Sequence, residues 1–587
     1  MTGVQHIFTY TGKHRKKLFL AFGLILASVV LGLAPYIIAY DIVLHLIRGD
    51  ALAGKYIMMM SGLVFIFMTL KNLCYYWGLS ASHDAAYDTL MGMRVSFADK
   101  MMSMPLGDIS WKGGGSFKKN IVDDIDSMEE LVAHILPEGL PYIIAPLLVF
   151  FILLCLDWRL GLLSMGSIPF GIIPMVLMMK AGTKRMNGFY RAAERMNAVI
   201  VEYVTAMNVI KIFGRTTDSF NRYVRSVKEY RDAALGWRKS IRNYMAVYTA
   251  VLPCTLILLL PVGCLLYMNG SLALDRLLFS IMLSLGMGGT LIKLLDFLPA
   301  LPILSYKIRE LEKTFQAGEL VQGTDTPKLS HYDITFEQVS FSYGDQNEKE
   351  AVSDVSFTAH QGSLTAIVGE SGSGKSTLAK LLVHYWDVKS GTIRIGGKDI
   401  TTLPLSCLMT KVAYVSQDTF LFNTTIGNNI RMGNPHATDP EVLRAAKLAM
   451  CHDFISAFEN GYDTRVGDAG DRLSGGEKQR ITIARAILKD APVIVLDEAT
   501  AFTDPENEDC IQSALNELIR GKTVIVIAHR LSTITGADRI LVMDRGRLAA
   551  LDTHDELLAS CNIYRKLWAS HQAAMDWRIR TEESADA

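Results

Sequence analysis

The residues Gly369–Ser376 carry the most specific chemical pattern in the sequence. They read Gly-Glu-Ser-Gly-Ser-Gly-Lys-Ser and match the phosphate-binding pattern G-x-x-x-x-G-K-[ST] at every fixed position. Glycines let the backbone close around phosphate oxygens because no Cβ stands in the way, and the start of the following helix adds partial positive charge. Lys375 supplies a full positive charge, and the Ser376 hydroxyl is a hard ligand for Mg²⁺. The pattern predicts a site for a nucleoside triphosphate.

A pair of acids at the end of an apolar run is the second chemical feature. The run Pro492–Leu496 predicts a buried strand, and Asp497 and Glu498 follow it directly. A carboxylate at a strand end beside a phosphate loop can hold Mg²⁺, and the next acid can take a proton from an attacking water. Many buried strands end in Asp, so the pair alone is weak evidence. Its position roughly 120 residues after the phosphate loop makes the combination a strong indication of nucleotide hydrolysis.

A third feature, Leu473–Glu477, combines a helix start with two glycines. Ser474 is a typical N-cap residue, and Glu477 three positions later completes a capping box. A cap explains the Ser and the Glu, but it requires neither Gly475 nor Gly476. Because the N-terminus of a helix also binds anions, the two glycines favour a second contact with phosphate.

The three motifs lie in a region that predicts an α/β fold. Strands and helices alternate from Tyr332 onward, with a strand at Ser363–Val368 before the phosphate loop and a helix from Thr377 after it. The stretch Gln316–Ser330 has little apolar content and predicts a linker. The expected organisation is an N-terminal domain over 1–315, a linker over 316–330, an α/β domain over 331–571 and a polar tail over 572–587.

The composition of the N-terminal domain predicts a membrane protein. Half of the 587 residues are hydrophobic, and six apolar stretches of about 20 residues or more precede the linker. A helix of that length reaches roughly 30 Å, which is the thickness of the hydrocarbon core. Six such segments in one half of the chain argue against the buried helices of a soluble protein. We place the spans at 18–40, 56–79, 134–156, 159–180, 244–268 and 277–300.

The connections between the spans alternate in length and charge. Residues 80–133 and 181–243 are long and polar, and the second of them is dense in Arg and Lys. The positive-inside rule places both segments and the basic N-terminus in the cytoplasm. Both segments have helical periodicity, so we expect membrane helices that continue beyond the bilayer, the first one interrupted at Met104–Gly107 and Gly113–Gly115. The formal net charge is zero, so bulk charge suggests no nucleic-acid partner.

The predicted spans contain charged residues, among them Lys71 in the second span, Glu138 in the third, and Lys293 and Asp296 in the sixth. A charge inside the bilayer is costly, so each is expected to face a cavity or a partner, and Lys293 and Asp296 can pair on one helix face. The alternative places Glu138 near the cytoplasmic interface and lets the Lys–Asp pair neutralise itself. The sequence favours neither interpretation.

The order and spacing of the motifs resemble the nucleotide-binding domain of ABC transporters, and the six spans resemble the exporter-type (type IV) membrane domain of that family. The resemblance rests on Gly369–Ser376, Gln417, Leu473–Glu477, Asp497-Glu498 and His529, and it extends over nearly the whole chain. It implies an all-α transmembrane domain of six helices followed by an α/β P-loop NTPase domain of ABC type. It also implies ATP and Mg²⁺ as cofactors, and ATP hydrolysis coupled to transport.

The resemblance also implies a role for each motif residue. Glu498 would be the general base, His529 would contact the γ-phosphate, and Gln417 would sense Mg²⁺ and the attacking water. Tyr343 would stack on adenine, while Ser474 with its two glycines would close over ATP bound to the other subunit. The implied Mg²⁺ ligands are Ser376, Gln417 and Asp497. The implied nucleotide-binding residues are Tyr343, Gly369, Glu370, Ser371, Gly372, Ser373, Gly374, Lys375, Ser376, Thr377, Ser474, Gly475, Gly476 and Glu477.

One membrane domain joined to one nucleotide-binding domain resembles a half-transporter, which implies a dimer with an identical or a similar chain. The other implied partners are the lipid bilayer and a small-molecule or lipid substrate. The implied location is the inner (plasma) membrane, with the nucleotide-binding domain and the N-terminus in the cytoplasm. Helices that couple the two domains would lie near Leu106–Trp111 and Asn208–Arg215.

Two positions differ from the pattern that is usual among exporters. Residues 501–504 read Ala-Phe-Thr-Asp where most exporters have Ser-Ala-Leu-Asp, and Glu477 stands where Gln is more usual. The first variant, with Pro-Glu-Asn-Glu after it, resembles a branch that includes iron–siderophore importers of the yersiniabactin and mycobactin type. Three hypotheses stay open. They are a metal–siderophore importer, which the variant favours modestly, a multispecific exporter of lipids, drugs or peptides, and a non-transporting regulatory subunit, which Glu498 and His529 disfavour.

Overall fold

The structure is a computed structural model of the chain. It describes residues 15–50, 53–213, 216–297, 300–343, 350–417, 419–497, 505–528 and 531–583. Internal contacts divide the chain into two compact units. The first contains the residues up to Met102 together with Gly114–Ala317, and the second contains Ser103–Gly113 together with the residues from Gly318 onward.

The described part of the first unit contains helices and turns but no strand. Its long helix α3 is Gly54–Ser103, and the short helix that follows, α4 (Leu106–Lys112), belongs to the second unit. Two turns of π-helix, Asn120–Asp124 and Glu130–Ile135, precede helix α6, which is Leu136–Leu156. The other helices are α1 Arg15–Leu31, α2 Ala34–Arg48, α5 Gly114–Lys119, α7 Trp158–Ser164, α8 Ser167–Thr205, α9 Met207–Ile212, α10 Thr216–Val251, α11 Leu256–Met268, α12 Leu274–Phe297 and α13 Ala300–Phe315.

Six helical segments of the described chain are long and apolar enough to cross a membrane, as the sequence predicts. The first segment contains α1 and α2, which are separated by a turn at Gly32–Leu33 ahead of Pro35. A proline in the first turn of a helix is tolerated because its missing N–H would have no partner there. The segments are Arg15–Arg48, Gly54–Ser103, Glu130–Leu156, Trp158–Thr205, Phe220–Met268 and Leu274–Leu294.

Small residues bring the helices of the first unit into close contact. Helix α8 packs along α10, and a Cβ placed on Gly171 would lie 2.7 Å from Leu252 Cδ1. Helix α6 packs against both α1 and α12, with Val149 and Leu153 fully buried beside Leu283. Close approach at small residues is how membrane helices gain packing energy, because lipid tails are as apolar as the side chains they replace.

Glu138 is buried in the first unit, with 4% of its surface exposed. Its Oε2 accepts hydrogen bonds from the hydroxyls of Tyr75 at 3.2 Å and Tyr142 at 3.3 Å, and its Oε1 lies 2.7 Å from Nδ1 of His134. This carboxylate therefore has the partners that one of the two sequence interpretations requires. Lys293 is exposed, and the side chain of Asp296 lies outside the described part of the chain.

The second unit contains the α/β fold and helix α4. A four-stranded antiparallel sheet has the order β2-β1-β4-β5, and a six-stranded sheet has the order β10-β9-β3-β8-β7-β6. The strands are β1 Ile334–Phe341, β2 Val352–Ala359, β3 Leu364–Gly369, β4 Ser390–Ile395, β5 Lys398–Asp399, β6 Val412–Val415, β7 Val493–Asp497, β8 Thr523–Ile527, β9 Arg539–Asp544 and β10 Arg547–Asp552. The helices are α14 Lys375–Leu382, α15 Leu405–Lys411, α16 Ile426–Arg431, α17 Asp439–Leu448, α18 His452–Ser456, α19 Gly475–Lys489, α20 Pro505–Ile519, α21 His554–Ser560 and α22 Asn562–Glu583.

The strand order of the large sheet positions the motifs. Strands β9, β3, β8, β7 and β6 run parallel, so their carboxyl ends meet at one edge of the sheet. Two apolar cores hold this arrangement. One packs α14 between the two sheets around Leu381 and Leu382, and the other packs α19 against β7 around Ile483 and Ile494. The prediction of six membrane helices followed by an α/β domain is confirmed.

Candidate functional site

The phosphate loop connects β3 to α14, as the sequence predicts. Gly369, Gly372 and Gly374 all adopt positive φ angles, which residues with a side chain rarely do. A Cβ on Gly374 would lie 2.6 Å from the carbonyl oxygen of Ala351, so a larger residue has no room there. The glycines of the motif are therefore required by the local backbone and by the close approach of a neighbouring strand.

Two polar side chains lie buried within this loop. Lys375 is 5% exposed, and its Nζ donates to the carbonyl oxygens of Gly369 at 2.8 Å and Glu370 at 2.9 Å. Ser373 is 4% exposed, and its Oγ has no hydrogen-bond partner among the described residues. A buried hydroxyl without a partner is costly, so the loop presents a donor to a ligand with acceptor oxygens.

The acid at the end of β7 reaches the phosphate loop. Asp497 is 7% exposed; its Oδ1 accepts from the Ser376 hydroxyl at 3.2 Å and its Oδ2 from the Tyr414 hydroxyl at 3.0 Å. Burial raises the pKa of the nearby Tyr385 phenol, and the negative charge of Asp497 raises it further. The structure thus brings together two of the three residues expected at a metal ion, a carboxylate and a hydroxyl.

Gln417, the third expected metal residue, lies exposed just beyond β6. Because Val415 pairs with Leu496 across the parallel strands β6 and β7, Gln417 follows at the sheet edge where Asp497 ends its own strand. Glu498 and His529 lie outside the described residues, as do residues 501–504 of the variant stretch.

The start of α19 has the predicted capping box. The Oγ of Ser474 accepts from the backbone N–H of Glu477 at 3.3 Å, and the Glu477 carboxylate accepts from the Ser474 backbone N–H at 2.8 Å. Among the described residues, a Cβ placed on Gly475 would have no atom within 4 Å, so the surface at this helix start is open. The open helix start is a suitable anion site, since its remaining N–H groups and the helix dipole face outward.

The expected adenine-stacking residue is also close to the phosphate loop. The Tyr343 hydroxyl lies 2.6 Å from Oγ1 of Thr377 in the first turn of α14, and 41% of Tyr343 is exposed. Its ring meets Phe341 and Trp386 edge to face, at 5.2 and 5.3 Å between centroids. The ring is therefore held at the loop by its hydroxyl and by two aromatic neighbours.

Sequence reasoning missed two features of the second unit, one of them at this site. Tyr414 lies 83 residues from Asp497 and reaches it only because β6 is the neighbour of β7. Arg485 on α19 donates from its Nε to the backbone oxygen of Asn429 at 2.7 Å and from another nitrogen to that of Phe420 at 2.8 Å. Burial lowers the pKa of Arg485 to about 10. Neither residue belongs to a local motif, so no pattern in the sequence signals it.

The residues present fit ATP with Mg²⁺. The positive-φ glycines form a backbone cradle, Ser373 offers a buried hydroxyl without a partner among the described residues, and Lys375 places a cation at the same loop. The Ser376 hydroxyl and the Asp497 carboxylate supply hard oxygen atoms of the kind that Mg²⁺ prefers.

Comparison with protein-family models gives a match in each unit. Residues 352–501 match the family described as ABC transporter, and residues 18–291 match the ABC transporter transmembrane region. A solved structure of a bacterial Atm1-family ABC exporter with ATP bound has a TM-score of 0.81 and 26% sequence identity to this chain, with coverage of 95% of this chain and 98% of the other.

Curated relatives agree with these matches. The chain is 38% identical over 483 residues to the mycobactin import ATP-binding/permease protein IrtA of Mycolicibacterium smegmatis, covering 82% of this chain and 56% of the relative. It is 32% identical over 513 residues to the ATP-dependent lipid A-core flippase of Methylobacillus flagellatus, covering 86% of each. The chain spans about half the length of the mycobactin import relatives.

The fold and the site define a multi-pass membrane protein with a P-loop nucleotide-binding domain. This chain belongs to the ABC transporter family, a class of ATP-hydrolysing transporters, and its fold is that of the exporter-type members.

Proposed function

We propose that this chain is one half of an ATP-hydrolysing transporter and acts as a dimer in the inner membrane, with its second unit in the cytoplasm. The observation that carries the proposal is the contact between Ser376 and Asp497, which joins the phosphate loop to the acid-bearing strand at 3.2 Å. The same chain carries six segments able to cross a membrane. Active transport needs a site that hydrolyses nucleotide and a domain that crosses the membrane, and this chain carries candidates for both.

In this proposal the residues of the loop bind and orient the triphosphate. Lys375 and the backbone N–H groups after Gly369 hold the phosphates, while Ser376, Asp497 and Gln417 hold Mg²⁺. The metal, when bound, neutralises charge that develops on the phosphate oxygens. Glu498 accepts a proton from the attacking water and His529 contacts the γ-phosphate.

A dimer completes each site. The helix start at Ser474 and Gly475 is open and forms a second surface suited to phosphate. We propose that this surface closes over ATP held by the second copy, so that binding draws two nucleotide-binding domains together and hydrolysis releases them. The cytoplasmic helices then carry the movement to the spans, which alternate their access between the two sides of the membrane.

For the substrate we propose a metal–siderophore complex moving inward. Two observations support it: the residues 501–508 resemble the siderophore-importing branch, and the mycobactin import protein IrtA is 38% identical to this chain over 483 residues. Export of lipids or drugs is the second candidate, because a relative at 32% identity is named a lipid A-core flippase and the solved structure is named an exporter.

The ATPase is tested with the purified protein in lipid. We expect Mg²⁺-dependent phosphate release that is lost in Lys375→Ala. We also expect Glu498→Gln to bind ATP and remain in the closed dimer without turnover. Phosphate release that is unchanged in Lys375→Ala would refute the proposed nucleotide site.

The direction and substrate are tested in membrane vesicles. Right-side-out vesicles energised from within should accumulate a labelled lipophilic ferric siderophore, and Lys375→Ala vesicles should not. If only inverted vesicles accumulate the compound, the chain exports it. If neither orientation transports the chelate while both move a fluorescent lipid, the second candidate is correct.

A further inference from the structure

Helix α4 is fixed to the nucleotide-binding fold at its N-terminal end. The backbone N–H of Gly107 donates to the carbonyl oxygen of Tyr385 at 3.1 Å, and the indole N–H of Trp386 donates to Asp108 Oδ1 at 3.1 Å. A side chain on Gly107 would overlap the indole ring of Trp386. These contacts lie within the second unit, and they fix the position of the C-terminal end of α4.

That other end carries Trp111, which lies against the expected adenine-stacking residue. The indole of Trp111 is nearly parallel to the phenol ring of Tyr343, with 6.1 Å between centroids and 18° between planes. Tryptophan, a large side chain, normally buries most of its surface, but 77% of Trp111 is exposed. One parallel neighbour and a large exposed surface leave a flat aromatic face available to a planar ligand.

Tyr343 itself cannot move freely away from this arrangement. Its hydroxyl is held at 2.6 Å from Thr377 Oγ1, and Phe341 and Trp386 contact the ring edge to face. The ring of Trp111 thus lies nearly parallel to a ring that is fixed beside the first turn of α14, and most of the Trp111 surface remains exposed. A purine attached to a triphosphate in the loop would lie within reach of that surface, and stacking of a base on an aromatic ring contributes about 1–3 kcal/mol.

We propose that Trp111 is a base-binding residue of the ATP site, so that adenine stacks on a platform formed by Trp111 and Tyr343 together. The proposal rests on the proposed nucleotide-binding function and extends it to a residue of helix α4. Helix α4 follows the membrane helix α3 in the chain after only Met104 and Pro105. In this proposal, binding of the base at Trp111 acts on helix α4, which follows a membrane helix directly in the chain.

The test measures ATP hydrolysis by the full-length protein in lipid. Trp111→Ala should raise the KM for ATP by about fivefold to tenfold, which corresponds to the loss of one stacking contact, and leave kcat nearly unchanged. Trp111→Phe should restore most of the affinity because it retains an aromatic face. Met450→Ala, a substitution of an exposed apolar residue in the same unit, is the matched control and should leave KM unchanged.

A ligand without a base separates stacking from distortion of the phosphate loop. Inorganic triphosphate should inhibit the wild type and Trp111→Ala at equal concentrations. If Trp111→Ala weakens inorganic triphosphate as much as ATP, the residue acts on loop shape and the proposal is wrong. If Tyr343→Ala raises the KM for ATP and Trp111→Ala does not, Trp111 is no base-binding residue although the nucleotide site stands. ATP hydrolysis that persists in Lys375→Ala would instead refute the underlying function.

Fluorescence gives a second measurement that does not depend on the Ala variant folding. The chain has seven tryptophans, so the contribution of Trp111 is obtained as the difference between the wild type and Trp111→Phe. ATP should quench that difference signal, and inorganic triphosphate should not. Equal quenching by ATP in both proteins would overturn the proposal.

Discussion

At the scale of single residues, the site depends on the hydrogen bonds that fix the orientation of the Asp497 carboxylate. Its two carboxylate oxygens accept from Ser376 and Tyr414, and only 7% of the residue is exposed. Hydrogen bonds to an ionised acceptor contribute about 1.5–3 kcal/mol each, more than bonds between neutral groups. Tyr414 therefore orients the acid that we expect to hold the metal.

We predict that Tyr414→Phe raises the Mg²⁺ concentration needed for half-maximal ATP hydrolysis several-fold, with a smaller effect on the KM for ATP. The reason is that the carboxylate loses the donor that fixes its orientation. A magnesium titration of phosphate release measures it. Tyr462→Phe, which removes a hydroxyl that contacts His452 elsewhere in the same unit, is the control. An equal magnesium response in both variants would show that Tyr414 has only a packing role.

At the scale of elements, two short segments position residues with specific contacts. Helix α4 has only seven residues, yet it is held by two hydrogen bonds and by the absence of a side chain at Gly107. The two turns of π-helix before α6 lead to a buried carboxylate, Glu138, that three side chains satisfy. Each feature gives a prediction that a control variant distinguishes from a general loss of packing.

Gly107→Ala should displace α4 from Trp386 because the added methyl group would overlap the indole ring. At saturating ATP we expect hydrolysis to continue while the amount of substrate transported per ATP falls at least severalfold. Gly114→Ala is the control, since no atom lies within 4 Å of a side chain placed there. Parallel measurement of transport and phosphate release in proteoliposomes tests the prediction, and unchanged coupling would contradict it.

Glu138→Leu should destabilise the first unit by about 3 kcal/mol, because it leaves His134 and the hydroxyls of Tyr75 and Tyr142 without their shared acceptor. Glu138→Gln retains an acceptor and should cost less. Asp126→Asn, which alters a largely exposed ion pair with Arg94, should change stability by less than about 1 kcal/mol. Thermal unfolding of the detergent-solubilised protein tests this order, and equal losses for all three variants would contradict it.

At the scale of the whole molecule, the central expectation is that each nucleotide site is shared by two copies. The loop residues cluster at one edge of the large sheet, whereas Ser474 presents an outward-facing helix start. In the proposed dimer, a two-fold axis places the loop of one copy opposite the helix start of the other. The same need would be met by a similar chain in a heterodimer.

Mixing two inactive variants tests this sharing. Lys375→Ala removes the loop cation and Ser474→Arg blocks the helix start, so each homodimer should be inactive. A mixed dimer places both changes in one site and leaves the other intact. Equal mixing before reconstitution should therefore restore about a quarter of the wild-type sites, if copies pair at random. No recovery, with mixed dimers verified by differential tags, would contradict a shared site.

The sequence by itself determined the features that depend on neighbouring residues in the chain. The positive-φ glycines at 369, 372 and 374 and the capping box of Ser474 and Glu477 are local, because a turn or helix start is specified within a few positions. The six spans follow likewise from the length of each apolar run.

The tertiary structure alone decided which distant residues complete the site. Tyr414 reaches Asp497 because β6 is placed beside β7, and Trp111 reaches Tyr343 because Gly107 lets α4 approach Trp386. The hydroxyls of Tyr75 and Tyr142 meet at Glu138 in the same way. Such contacts arise from strand order and helix packing, which depend on the whole chain at once, so no short pattern can encode them.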